Sequence, residues 1–254
     1  MQKLALIAVL LLALAGGLGA EGEEKPAIAP PEPKRQVSLA KPFVLTALSY
    51  HQNRASDAGL IELVKFFRKS TTIKTPVECN SLYLSDRRLA ETSLLYMTQA
   101  SLDLDVQLNE SEKRALGEFL KRGGLLYAEE STGVGVAGTP FDQMLKALIK
   151  DPLVLGSQGA QWAIIPNEHP LFASYFQFPS GPPLVGAEGG NVERLEMVEL
   201  RGRVAAIFSE LNLSRFWWDV EAQSRELGLR FGANLIVFAM TQRAGGGAVP
   251  GRRP

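Results

Sequence analysis

Polar residues that could do chemistry follow two short apolar runs in the middle of the chain. The first run is Leu94–Met97 and the second is Leu125–Ala128. In an open parallel sheet, ligands bind beyond the carboxyl ends of the strands, so both loops are predicted to lie at the mouth of such a sheet. The polar side chains that begin these loops are Thr98 and Gln99 in the first and Glu129, Glu130, Ser131 and Thr132 in the second.

The adjacent acids Glu129 and Glu130 allow two kinds of chemistry. The pair could bind a cation, or one member could be forced to hold a proton and act as an acid. The alternative is structural, because polar groups in loops often satisfy nearby backbone and the end of the adjoining helix. The sequence leaves both interpretations open.

A histidine and a pair of tryptophans are the remaining candidates. His169, the only histidine in the second half of the chain, could act as a base or ligand near Glu129 and Glu130, or could be a hydrogen-bonded structural residue. His51 follows the first predicted strand and is a weaker candidate. Trp217 and Trp218 could stack on a sugar or a partner, or one of them could be buried.

Composition excludes several classes of function. The chain has 27 basic and 27 acidic residues, so no strong positive charge points to nucleic acid. Two histidines and one cysteine, Cys79, are too few for a histidine-rich metal centre, a thiolate metal site or an internal disulfide. We therefore predict no cofactor, no bound metal and no nucleic-acid partner, and we expect an unknown protein partner or a small ligand.

Strand-like and helix-like segments alternate along the chain. Short apolar runs between helical patterns are typical of parallel strands. Helical spacing of apolar residues begins near Ser56, after Asn109 and after Thr139. The predicted strands are Phe43–Leu48, Val77–Leu84, Leu94–Met97 and Leu125–Ala128.

Capping signals locate two of these helices. Asn109 and Glu112 have the spacing of a capping box, and Gly123–Gly124 can form the left-handed turn that ends the same helix. Thr139 followed by Pro140 predicts a second helix start. A helix that returns directly to a strand implies a right-handed crossover and a parallel sheet.

The last third of the chain predicts a hairpin and a closing helix. Residues 194–200 and 204–209 flank Arg201–Gly202, as in an antiparallel hairpin. Leu229–Met240 is apolar nearly all round, and Gly232–Asn234 in its middle argues against a strand. The predicted fold is α/β, with a three-layer, mostly parallel, flavodoxin-like sheet, helices on both faces and an antiparallel edge hairpin.

The ends of the chain differ in composition from the middle. Residues 1–20 have a basic start, eleven apolar residues and a small-residue end, which predicts a signal peptide too short to span a membrane. Residues 21–42 read as a proline-rich linker, 43–242 as the domain and 243–254 as a disordered tail. We expect an exported, periplasmic or extracellular protein with no membrane span after signal removal.

The order of these pieces resembles the bacterial DUF4159 family over about residues 43–241. The resemblance rests on short stretches in a specific order, and no single one is decisive. They are Leu94–Thr98, Leu108–Glu112, Leu116, Phe119, Leu120, Gly123–Glu130, Phe141–Asp142, Glu168–Phe172, Ile207–Leu213 and Gly232–Asn234.

The resemblance implies a class I glutamine amidotransferase-like fold, which includes the trehalose-utilisation-like proteins. Relatives commonly carry a Gly-His-Gly type turn after the third strand and two acids followed by cysteine after the fourth. Here the turns read Gln99–Ser101 and Glu129–Thr132, and Cys79 lies on or beside the second strand. Because such amidotransferases need a thiolate nucleophile, that activity is not expected.

The leading hypothesis is therefore a non-enzymatic binding or interaction domain. The second is a hydrolase that uses Glu129, Glu130 and His169, with a metal ion as an option. The third is a carbohydrate-binding module that uses Trp217 or Trp218.

The apolar start generates the first prediction. We expect the mature protein to begin between Gly16 and Glu21, because the apolar segment is too short to remain as an anchor. Intact-mass analysis of exported material measures this directly. Exported protein that retains Met1 would contradict the prediction.

Overall fold

The computed structural model describes residues 41–50, 57–98, 108–131, 135–185, 192, 195–219 and 224–244. The predicted signal peptide, nearly all of the predicted linker, and the tail beyond residue 244 lie outside these ranges. The described residues build one seven-stranded sheet with helices packed on it.

The strands lie in the order β2-β1-β3-β4-β7-β6-β5. The first five in this order are mutually parallel, whereas β6 and β5 are antiparallel additions beyond β7. The mostly parallel sheet and the antiparallel hairpin are confirmed. The strand bounds are β1 Phe43–Ser49, β2 Val77–Tyr83, β3 Leu94–Thr98, β4 Leu125–Glu129, β5 Trp162–Ile164, β6 Glu196–Leu200 and β7 Arg203–Ser209.

Helices cover both faces of the sheet and enclose two separate apolar cores. One core includes side chains from α1, α5 and α6, and the other includes side chains from α2 and α3. The helix bounds are α1 Ala58–Ser70, α2 Glu110–Lys121, α3 Pro140–Lys150, α4 Gly156–Gly159, α5 Arg215–Trp218 and α6 Arg225–Ala244, with 3₁₀ helices at Arg87–Glu91 and Pro170–Ala173. The α/β layering is therefore the predicted one.

The two helix starts predicted from capping signals are confirmed. The Asn109 side chain accepts from the Glu112 N–H at 3.0 Å, and the Glu112 carboxylate accepts from the Asn109 N–H at 2.9 Å. At α3, the Thr139 hydroxyl accepts from the Asp142 N–H at 3.1 Å, and Pro140 is the first helical residue. Each cap satisfies backbone donors that would otherwise lack a partner.

The sequence Gly232–Asn234 explains how α6 packs as a buried helix. A Cβ on Gly232 would lie 2.6 Å from Leu63 Cδ1 and 2.9 Å from Trp217 Nε1, so a larger residue here would require these side chains to shift. Asn234 is wholly buried, and its side chain bonds the backbone of Leu171, Tyr175 and Phe176. The helix therefore holds the 171–176 segment through one amide.

The short edge strand β5 was not predicted from the sequence. Trp162–Ile164 is three residues long, which is too short to show a strand periodicity. Ile164 is 54% exposed, β6 is the one strand that pairs with β5 in the described sheet, and Trp162 packs against Phe208. The formation of β5 therefore depends on contacts outside its own three residues.

None of the helices in the described ranges is both long enough and apolar enough to cross a bilayer.

Two helical glycines provide a matched stability test. A Cβ on Gly117 in α2 would lie 2.6 Å from the Leu153 carbonyl oxygen, whereas a Cβ on Gly59 in α1 would approach Trp218 no closer than 3.5 Å. We expect Gly117→Ala to lower the free energy of unfolding by about 1–3 kcal/mol through overpacking. Gly59→Ala should leave it unchanged or raise it by up to about 1 kcal/mol. Urea unfolding of both variants measures the contrast, and equal effects would contradict it.

Candidate functional site

Glu129, the last residue of β4, is completely buried and fully hydrogen-bonded. One carboxylate oxygen lies 2.6 Å from the Tyr127 hydroxyl, 3.0 Å from the Ser209 hydroxyl and 2.6 Å from the Leu213 N–H. The other accepts from the Ser214 N–H at 2.7 Å. The carboxylate therefore joins β4 to the turn that leads from β7 into α5.

Burial raises the pKa of Glu129, and the donors from Ser214, Tyr127 and Leu213 oppose that rise. Burial and the nearby Glu129 charge raise the pKa of Tyr127 as well, so the phenol remains a donor. All four partners donate to Glu129, which matches an acceptor-only carboxylate. These contacts thus give Glu129 a structural role.

Glu130 is equally buried but belongs to a different network. Its backbone N–H donates to the Ser209 carbonyl at 2.8 Å. Its carboxylate accepts from the Thr139 hydroxyl at 2.7 Å, and the same hydroxyl caps α3. Successive side chains along a strand point to opposite faces, so Glu129 and Glu130 do not form a carboxylate pair.

The acid that stands beside Glu130 is Glu210, which was not identified as a site residue from the sequence. The register pairs Glu129 with Ser209, so the next residues, Glu130 and Glu210, occupy equivalent positions on neighbouring strands. The signal was present, because Glu210 directly follows an apolar strand just as Glu130 does. Only the pairing of β4 with β7 shows that the two are neighbours.

Glu210 lies in a charged, buried environment. It is 6% exposed. Burial, followed by the charge of Asp142, raises its pKa to about 7, while the Lys146 ammonium opposes the shift. Lys146 Nζ lies 2.8 Å from Asp142 and 2.5 Å from Glu196. Burial alone would lower the pKa of Lys146, but these two acids raise it.

The remaining candidates predicted to lie at the carboxyl ends of the strands are Thr98, Gln99, Ser131, Thr132 and His51. Thr98 ends β3; its hydroxyl donates to the Glu129 carbonyl at 3.1 Å, and its own carbonyl accepts from the Tyr50 hydroxyl at 2.6 Å. Ser131 is half-buried after β4. Gln99, Thr132 and His51 lie outside the described residues. Thr98 therefore helps to join three neighbouring strand ends.

His169 caps the 3₁₀ helix Pro170–Ala173. Its Nδ1 accepts from the Leu171 N–H at 3.3 Å, its ring lies edge-on to Phe238 at 5.2 Å, and burial lowers its pKa. Phe238 precedes Gln242 by one helical turn, and Gln242 accepts from the Val204 N–H near the start of β7 at 2.7 Å. His169 thus lies toward the opposite end of the strands from Glu129 and Glu130.

Within the described ranges, no group of three or more His, Cys, Asp or Glu side chains is arranged to hold a metal ion. Cys79 lies on β2, with β1 and β3 between it and β4, and burial raises the pKa of its thiol. The cysteine is therefore not at the turn that follows β4.

The adjacent tryptophans have separate environments. Trp217 is 1% exposed, and its indole N–H donates to the Gly228 carbonyl at 3.1 Å. Trp218 is 59% exposed and lies against Gly59 at the start of α1. Only Trp218 presents an aromatic surface that a binding partner could contact.

The Glu129 network generates a stability prediction. Glu129→Gln places an amide N–H₂ among four hydrogen-bond donors, so at least one buried donor loses its acceptor. We expect the free energy of unfolding to fall by about 2–4 kcal/mol, measured by urea unfolding at pH 7.

Glu118→Gln is the matched control, because Glu118 is an exposed acid on α2. We expect this change to stay within about 0.5 kcal/mol of the wild type. A similar small effect for Glu129→Gln would show that the buried carboxylate does not hold the β4–α5 connection.

Comparison with known proteins adds one finding. A search of curated proteins finds no relative of this chain. The family model described as a domain of unknown function (DUF4159) matches residues 44–240, which includes every strand except the first residue of β1. Because this match covers well over half of the chain, the chain belongs to the DUF4159 family.

Proposed function

We propose that this DUF4159 protein is exported to the periplasm or the cell exterior and acts there as a non-enzymatic binding or interaction domain. The basic start, short apolar segment and small-residue end of residues 1–20 support export. The proline-rich residues 21–42 would then space the domain from its point of attachment or assembly.

The binding proposal rests on one observation, which is that both carboxylate oxygens of Glu129 already accept hydrogen bonds within the protein. This acid follows the strand that resembles the one leading to the nucleophile turn in glutamine amidotransferase-like proteins. A catalytic carboxyl must present an oxygen to its substrate. Both Glu129 oxygens instead accept internal hydrogen bonds from Tyr127, Ser209, Leu213 and Ser214.

The candidate contact surface is the exposed ring of Trp218. Trp218 follows β7 through α5, and its side chain lies beside the start of α1, which follows β1. It is therefore at the carboxyl-end side of the sheet, where this architecture binds ligands. Tryptophan contributes a large rigid area at interfaces and also stacks on sugars. The same residue thus serves a protein partner or, in the third hypothesis, a carbohydrate.

A hydrolase remains the second candidate, and one observation favours it. Glu130 and Glu210 occupy neighbouring strand ends, and the pKa of Glu210 is raised to about 7. Acids with such pKa values are typical of general acid catalysis. A hydrolase of this kind would use Glu130 and Glu210 and would not use His169.

Site-specific photo-cross-linking tests the binding proposal. We expect benzoylphenylalanine at position 218, incorporated in cells that produce the protein, to give a discrete cross-linked product. Position 136 is the control, since Val136 is also an exposed apolar residue, at 51%, but lies in the loop before α3. Equal cross-linking at both positions, or none at position 218, would overturn the assignment.

Trp218→Ala extends the test to the native side chain. We expect the unfolding free energy to change by less than about 0.5 kcal/mol, because the ring is mostly exposed. The partner identified by cross-linking should no longer co-purify with the variant. A product that is removed by glycosidase treatment would identify a carbohydrate rather than a protein partner.

A further inference from the structure

Four acids and one lysine come together where β4, β6, β7 and α3 meet. Glu130 follows β4 and Glu210 follows β7, Glu196 begins β6, and Asp142 lies in the first turn of α3. Lys146, one turn further along α3, contacts Asp142 and Glu196. The cluster therefore carries more negative than positive groups within a largely buried region.

One carboxyl oxygen in this cluster, Glu210 Oε1, lacks a hydrogen-bond partner among the described residues and is inaccessible to solvent. Asp142 Oδ1 is also buried, but it lies 2.8 Å from Lys146 Nζ, whose charge offsets its own. Buried polar atoms are normally hydrogen-bonded, so the unpartnered Glu210 oxygen needs an explanation.

Glu210 also holds the loop that leads into α3. Its carboxyl group accepts a hydrogen bond from the Gly138 N–H. Its backbone carbonyl accepts from the Gly135 N–H at 2.6 Å. Thr139, which follows directly, bonds Glu130 and caps α3. The state of Glu210 therefore bears on the position of residues 135–142.

We propose that Glu210 binds a proton in the folded protein, and that its neutral carboxyl group holds residues 135–142 against the end of β7. The proton comes from solvent and leaves no other product. It neutralises a buried carboxyl group whose Oε1 has no hydrogen-bond partner among the described residues. It also removes one negative charge from a group in which Lys146 is the only cation.

The direction in which the pKa of Glu210 is shifted agrees with this geometry. Burial, the charge of Asp142 and the charge of Glu196 raise the pKa of Glu210 to about 7, against the opposing charge of Lys146. Because the folded pKa exceeds the unfolded one, the stabilisation is complete below pH 4.5 and is lost as pH rises through about 7.

The consequence is a pH-sensitive loop at the carboxyl end of the sheet. Above neutrality, a charged Glu210 is buried and is repelled by Asp142 and Glu196, and the Gly138 N–H offsets this only in part. Opening of residues 135–142, which lets water reach the carboxylate, therefore costs less free energy. The proposal stands on the contacts of residues 135–142 and 210, and it depends neither on export nor on binding through Trp218.

Thermal unfolding of the wild type and of Glu210→Gln between pH 5 and 8.5 tests the proposal. Glutamine keeps the shape and a donor of the protonated acid without titrating. We expect the wild-type Tm to fall relative to that of Glu210→Gln by about 2–4 °C as pH passes 7. Amide exchange should show several-fold loss of protection at Gly135 and Gly138 over the same interval in the wild type only.

Glu118→Gln is the control and should leave the wild-type pH profile unchanged, since Glu118 is exposed on α2. The pKa of His169, lowered by burial, contributes equally to wild type and variant and cancels in the difference. Asp142→Asn should shift the Glu210 transition to lower pH.

A constant Tm difference from pH 5 to 8.5 would overturn the proposal. If Glu210→Gln does not fold, a ¹³C titration of the Glu210 carboxyl in the wild type decides. A midpoint near 7 supports a proton bound by Glu210, and a midpoint near the ordinary glutamate value refutes it.

Discussion

A buried carboxylate must find donors, and at Glu129 this requirement organises one end of the molecule. The Leu213 and Ser214 N–H groups bind it from the turn before α5, while Tyr127 and Ser209 bind it from the strands. Isolated in this core, the charge would cost several kcal/mol. The same hydrogen bonds fix the turn that precedes α5, which carries the buried Trp217 and the exposed Trp218.

The next residue, Glu130, lies on the other face of the sheet and accepts a hydrogen bond from a different part of the chain. Glu130 orients the Thr139 hydroxyl, which caps α3, and α3 carries Asp142 and Lys146 toward Glu210. Two consecutive acids thus anchor two helices on opposite sides of one sheet. The hydrogen bonds of the first network are satisfied, whereas the second contains the unpartnered oxygen Glu210 Oε1, so titration is expected in the second.

Much of the fold was predictable because its signals are local. The Asn109–Glu112 spacing, the Thr139–Pro140 start and the Arg201–Gly202 turn each depend on residues a few positions apart. Glycine in the left-handed region at Gly123, with φ of 109°, ends α2 as expected. Strand β5 was not predicted, because three residues are too few to show the alternation of apolar and polar residues typical of a strand. The strand forms by pairing with β6.

The amino-acid sequence by itself determined the α/β class, the two capped helices, the edge hairpin and the presence of acids after apolar strands. The tertiary structure alone decided which acids are neighbours. Glu129 and Glu130 are adjacent in the chain but separated by the alternation of a strand, whereas Glu130 and Glu210, eighty residues apart, are brought side by side by the parallel pairing of β4 with β7. Which strands pair depends on contacts between residues far apart in the chain, which together bury both faces of the sheet. No local sequence pattern encodes that pairing.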